Sequence, residues 1–427
     1  VFYEAIDLVK QQGQPFWEAR LQNVMAVLET LDGRLLEAKE HGVTALEKLQ
    51  QAPNPRWESL ICVNLARAYR HLWNRSVSLR EWRAKWPETL KRAYELLETR
   101  GPRAVLDIDS IQEGQEHPAG ALAWLREQAQ KGKDRIYYVE ALVEAGCIWR
   151  EMAWLYRQYK ESPKDSLQSA GFGSAAWGEW ASTCTRAANQ AEAYFFEAAG
   201  LAKYLTEWRN THTLSKQTQN IWKEAVEAQI KRVGGGRYWP VLALVNLGWH
   251  WRYQRQVTDE DVEALCALVE ALIPEQYHLP APDKKRDEPG TELLLWAVLG
   301  KMEMLRFDVR VKFEEWQAKE TLNVEEQQEL ESRLREATPH LGYSLEYNRL
   351  LGEAAFDRGR AEDGLSQRLS MVKQHHRLVI PLLYKYDKEF IFTIRSKYGD
   401  DKTGNQVTFP SELYRWLEER FGGPEVW

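Results

Sequence analysis

The chain has 427 residues, 28% of them charged and 44% hydrophobic, the balance of a folded protein rather than a disordered one. Lys and Arg number 57 against 63 Asp and Glu, a net charge of −6, which argues against a broad nucleic-acid footprint while leaving a local basic face open. No apolar run approaches the length of a membrane span and no signal peptide is visible, so the expectation is a cytoplasmic protein without a membrane.

The chain begins at Val1 and not Met, and reads as a processed product or a fragment ending at Trp427. The four cysteines (Cys62, Cys147, Cys184, Cys266) have no metal-like spacing and lie in apolar helical contexts, as structural thiols of a reducing compartment do. The 19 tryptophans are far above ordinary usage. Many recur within helical segments: Trp149 and Trp154, Trp177 and Trp180, then Trp239, Trp249 and Trp251. They read first as fillers of the gaps between stacked helices. The alternative is an aromatic groove for a peptide or single-stranded RNA, which also needs a basic lining.

In chain order, residues 2–50 read as three helices, broken near Gly13–Pro15 and at Asp32-Gly33. Leu21, Val24, Met25, Leu28 and Leu31 keep helical spacing in the second. A turn at Pro53–Pro55 precedes a helix to about Trp73, and residues 78–100 are helical again. Residues 101–120 read as irregular. Long helices follow over residues 134–160, from about 191 to Trp208, and over 214–233, the last ended by Gly234–Gly236. Leu244–Trp251 and Ala264–Ala271 read as a helix and its partner. The charged run within 280–290 is an exposed loop, and 292–319 and 324–338 are helical. Tyr347–Leu369 reads as two short helices joined at Gly359, a pair that cannot bury its apolar face alone and must stack on others.

Large–small–aromatic triplets begin at Leu65, Met152, Leu247 and Leu351. Their separations are loosely compatible with a degenerate unit of about 34 residues carrying insertions. These residues resemble the tetratricopeptide repeat. Trp149–Tyr156 and Leu244–Trp251 match the first helix of a unit, Ala191–Ala198 and Ala264–Ala271 the second, and 347–369 the pair. The resemblance implies a mostly α protein, an irregular tetratricopeptide-like α-solenoid over residues 1–372, with possible subdivisions near 101–120 and 274–290.

Residues 373–427 differ. Leu378–Tyr384 and Phe390–Arg395 are β-branched and aromatic around a polar turn, favouring a β-hairpin, and Ser411 is an N-cap for a final helix. Helical repeats followed by this small α+β segment resemble the opening of a CHAT domain, a caspase-like cysteine protease domain. The matching features are Leu378–Tyr384, Phe390–Arg395 and Gln406–Leu417. The family's catalytic His and Cys lie further along than this chain reaches, so a cysteine peptidase is implied only if the chain is part of a longer protein. The resemblance implies the sensor or docking region of a prokaryotic, CRISPR-type defence protease, with a CRISPR effector complex or a protease substrate as partner.

No catalytic, cofactor or metal residues emerge. His375-His376 reads as a solvated helix end, and Gly171–Gly173 and Gly234–Gly236 lack the Lys-Ser/Thr of a phosphate loop. No Gly-x-Ser-x-Gly elbow occurs. The expected function is a protein–protein interaction scaffold. The alternatives are an RNA-binding helical array using Trp and Arg surfaces, and an enzyme whose active site is not recognised.

Overall fold

A computed structural model describes residues 2–32, 34–78, 88–99, 120–161, 186–254, 257–279 and 294–312, then 323–326, 328–330, 332–333, 336–337, 340, 343–344 and 347. Helix accounts for 86% of these, and no strand occurs among them. The expected helix pair at 347–369, apart from Tyr347, and the hairpin and helix of 373–427 lie outside the described residues. No helix among them is long and apolar enough to cross a membrane.

The first helices are α1 (Phe2–Gln11), α2 (Pro15–Asp32), α3 (Leu35–Gln51) and α4 (Pro55–Ser78). Pro15 and Pro55 open α2 and α4, where the missing N–H is no loss. Asn54 caps α4 by accepting the Trp57 N–H at 3.2 Å. Next come α5 (Glu88–Tyr94), continued by a π turn at Glu95–Thr99, then α6 (Ala121–Gln130) and the long α7 (Arg135–Glu161). They are followed by α8 (Ala187–Ala198), α9 (Leu205–Thr211), α10 (Lys216–Arg232) and α11 (Tyr238–Gln254). The last two are α12 (Asp259–Leu272) and α13 (Leu294–Val311).

The chain divides into two units, residues 1–211 with 224–254, and residues 212–223 with 255–427. The expected pairing of Leu244–Trp251 with Ala264–Ala271 spans this division, α11 belonging to the first unit and α12 to the second.

In the first unit α7 packs against α8, and both pack against α11. Gly146 makes the α7–α8 approach possible. A Cβ there would stand 2.6 Å from the Phe195 ring, and a ring fixed in a core does not yield as a flexible chain end does. The expected continuation of α8 to Trp208 is interrupted. Gly200, at φ +80°, turns the chain, and a Cβ on it would meet Gln229 at 2.6 Å. Segment 121–130, which carried no expectation, is α6.

A line of polar side chains crosses the first unit's interior. Arg70 on α4 grips the Glu144 carboxylate of α7 with Nε and Nη2. Arg67 donates to Glu144 (3.2 Å), to Glu140 (2.6 Å) and to Asn64 (3.1 Å). Its guanidinium lies 5.2 Å from the centre of the Trp239 ring of α11. Asn64 in turn donates to Asn23 of α2 at 3.0 Å. Burial alone would raise the Glu144 carboxyl pKa, but Arg70 and Arg67 outweigh it and hold it at about 2.

In the second unit α12 packs on α13. Thr258 caps α12 by accepting the Asp261 N–H. Arg306 of α13 forks onto Glu270 of α12 at 2.9 and 2.8 Å and reaches Glu303 at 3.1 Å. His340, Ser344 and Tyr347 hold their segment down through Glu303, the Gly300 carbonyl and the Leu279 N–H.

Replacing Glu144 leaves the buried Arg70 guanidinium without its carboxylate, while Arg67 keeps Glu140 and Asn64. Glu144→Ala is expected to lower the unfolding free energy by about 3–5 kcal/mol. Lys131→Ala, which breaks an exposed pair with Glu127, is expected to change it by about 0.5 kcal/mol or less. Urea unfolding of both variants checks the contrast; equal effects would refute it.

Candidate interaction face

Helix α2 is inverted relative to an ordinary surface helix. Its inward side carries Glu18 (3% exposed), Gln22, Asn23 and Glu29 (1% exposed) among the small residues Ala19 and Ala26. Their partners come from the neighbouring helices. Lys48 pairs with Glu18 at 3.1 Å, His41 meets Gln22 at 2.6 Å, Asn64 donates to Asn23, and Arg34 pairs with Glu29. With the polar side turned in, the apolar side faces out. Trp17 is 49% exposed and Val24 37%, and Leu21 and Leu28 are half-buried. Positions 17, 21, 24 and 28 recur four, three and four apart, one straight stripe along three turns. Of the apolar residues that keep helical spacing in α2, Met25 points into the core and Val24 out to solvent.

At the stripe's margin stands Arg20. Its guanidinium lies 4.4 Å from the Trp17 ring centre and 4.5 Å from that of Trp57 in the first turn of α4, with Phe16 at 5.9 Å. Phe16 meets Trp17 and Trp57 edge-on at 5.9 and 6.4 Å. Arg20 has no carboxylate partner among the described residues. It is held by ring faces alone, a cation–π arrangement that leaves its N–H donors to solvent.

The other tryptophans behave differently. Trp73, Trp149, Trp208, Trp222, Trp249, Trp251 and Trp296 are buried, and among the described residues Trp17 is the exposed one. They fill gaps between helices, as Trp154 does edge-on against Trp73 and Trp149 against Tyr94. Trp177 and Trp180 lie outside the described residues. Trp208 and Trp251 stack at 4.1 Å, both donating to one oxygen of Glu192 (2.9 and 3.2 Å) while Arg209 donates to the other (2.8 Å).

Residues suited to chemistry are placed for structure instead. Cys62, Cys147 and Cys266 are buried, and burial pushes the Cys62 and Cys266 thiols well above the usual range, the reverse of an activated nucleophile. Cys184, Gly171–Gly173 and His375-His376 lie outside the described residues. Gly234–Gly236 forms the turn after α10, with the Gly234 and Gly235 N–H groups bonded to the Lys231 and Ile230 carbonyls. Among the described residues no group of three His, Cys, Asp or Glu side chains is placed to hold a metal ion.

Arg20 and its aromatic clamp escaped the sequence reading. The available signal was the polar row Glu18, Gln22 and Glu29, opposite Trp17, Leu21, Val24 and Leu28. Such a row normally marks the solvent side of a helix, and here it is the buried one. No known protein family, no curated protein and no solved structure matches the chain.

His250 of α11 is fully buried, beside Phe195 at 6.3 Å, with neither ring nitrogen in a hydrogen bond of ordinary geometry. Burial first, and the positive Arg150 second, lower its pKa to about 3, against a backbone contribution from Ala188. The unfolded chain, with an ordinary histidine near 6.5, therefore takes up a proton that the folded one refuses. Stability from this group is complete above pH 6.5 and is lost as pH falls toward 3, by about 1.4 kcal/mol per pH unit once below 6.5. Glu144 adds a second loss between pH 4.5 and about 2. Unfolding free energies from urea titration at pH 7 and pH 5 are expected to differ by about 2 kcal/mol in the wild type and by much less in His250→Phe. The same slope in both would refute the assignment.

Proposed function

We propose that the chain is a helical protein-interaction scaffold and that the outward stripe of α2 receives a partner protein. One observation carries this reading: a helix that buries four polar side chains to present Trp17, Leu21, Val24 and Leu28 outward. Ordinary surface helices do the opposite, and an apolar row beside an unpaired cation fits recognition better than solvation. The expected tetratricopeptide-like array belongs to this reading. Small-against-large packing of Gly146 on Phe195 between α7 and α8 supports it. Docking or sensing for a CHAT-type protease of CRISPR-type defence, in the cytoplasm, is a narrower proposal. It rests on the sequence pattern of 378–384, 390–395 and 406–417.

The full chain carrying an affinity tag would be used to capture partners from its own cells, with and without nuclease, as wild type and as Val24→Arg. The expected result is a protein retained by the wild type after nuclease and lost by the variant. Val24→Arg is expected to change stability by about 0.5 kcal/mol or less, whereas Met25→Arg, one residue along and buried, costs several kcal/mol. A bound set identical for wild type and Val24→Arg, or one removed by nuclease, would sink the proposal.

A further inference from the structure

Resting on that reading, we infer that the occupant of the α2 stripe is an amphipathic helix of a partner protein that carries a carboxylate at one end of its apolar row, and that Arg20 receives this carboxylate. Trp17 to Leu28 is eleven steps along the helix, about 16 Å, the length over which an incoming helix offers three or four anchors. Arg20 sits one turn from Trp17, at the N-terminal end of the stripe. Its guanidinium is sandwiched between the Trp17 and Trp57 rings at 4.4 and 4.5 Å, so it has already lost much of its rotamer freedom. The donors left over match a carboxylate in a two-point geometry.

Two other occupants fit less well. A second copy meeting this face by a two-fold axis would find Glu18 and Glu29 of α2 turned inward and already paired with Lys48 and Arg34. A single-stranded nucleic acid could stack on Trp17, but it would need several cations along its path, and the stripe carries one.

The test is selection from a displayed library of helical peptides of about 16 residues, with leucine fixed at an i, i+4, i+7, i+11 row and the other positions varied, against the full chain. The expected outcome is enrichment of Asp or Glu at one end of the row. Affinity should then fall about ten- to hundredfold in Arg20→Gln, and the preference should turn to Lys or Arg in Arg20→Glu. Thermal unfolding establishes that both variants fold; if Arg20→Glu does not, the neutral Arg20→Gln decides the question by itself. Peptides sensitive to Val24→Arg but indifferent to charge at residue 20 would overturn the inference and leave the interaction face standing. Absence of any Val24-sensitive peptide, together with unchanged capture by Val24→Arg, would overturn both. Binding of a fluorescent U-rich RNA 12-mer abolished by Trp17→Ala, or a dimer in sedimentation abolished by Val24→Arg, would also overturn the inference in favour of those occupants.

Discussion

A carboxylate caught between two guanidiniums inside the first unit constrains everything around it. Glu144 has no water to return to, so α4 and α7 can sit only where Arg70 and Arg67 both reach it. The constraint then propagates with a direction. Arginine donates and never accepts, so Asn64 must give its oxygen to Arg67 and is left with its amide N–H for Asn23. That bond, with those of Gln22 and Glu18, decides which side of α2 faces in. The inward side of α2 is thus joined through Asn23 and Asn64 to the buried ion pair, and Trp239 on the face of Arg67 ties α11 to the same point.

This explains what could be read from the residues and what could not. Helix positions were legible because they depend on local chemistry: the breaks at Gly13–Pro15 and Pro53–Pro55, and Gly234–Gly236 after α10. Breaks that depend on distant contacts were less so. Gly200 stops α8 short of Trp208 where Gln229, distant in sequence, lies against it. The orientation of α2 was illegible for the same reason, since its polar side is satisfied by Lys48, His41 and Asn64 from other helices. Periodicity locates a stripe, but it does not say whether core or solvent receives it.

The tryptophans show the same limit at the level of single side chains. Their abundance suggested filling between helices, and the buried rings from Trp73 to Trp296 do that. What abundance could not single out was Trp17, the exposed one among the described residues, or that an arginine would lie against it. The carboxylates and histidines divide similarly. Glu192 and Glu303 are each occupied by fixed donors: two indoles and Arg209 on one, Arg306 and His340 on the other. A carboxylate surrounded in this way orients its neighbours and has little left to offer a substrate.

The stacked indoles of Trp208 and Trp251 have an optical consequence. Two parallel chromophores 4.1 Å apart and inclined by 20° share their excited states. Paired indole transitions split and acquire circular dichroism of opposite signs on either side of the band centre. Trp208 belongs to α9, Trp251 to α11, and the carboxylate that fixes both belongs to α8. The protein therefore carries its own spectroscopic ruler at the meeting point of three helices. Its signal would weaken as the two rings separated, before the helices themselves unwound.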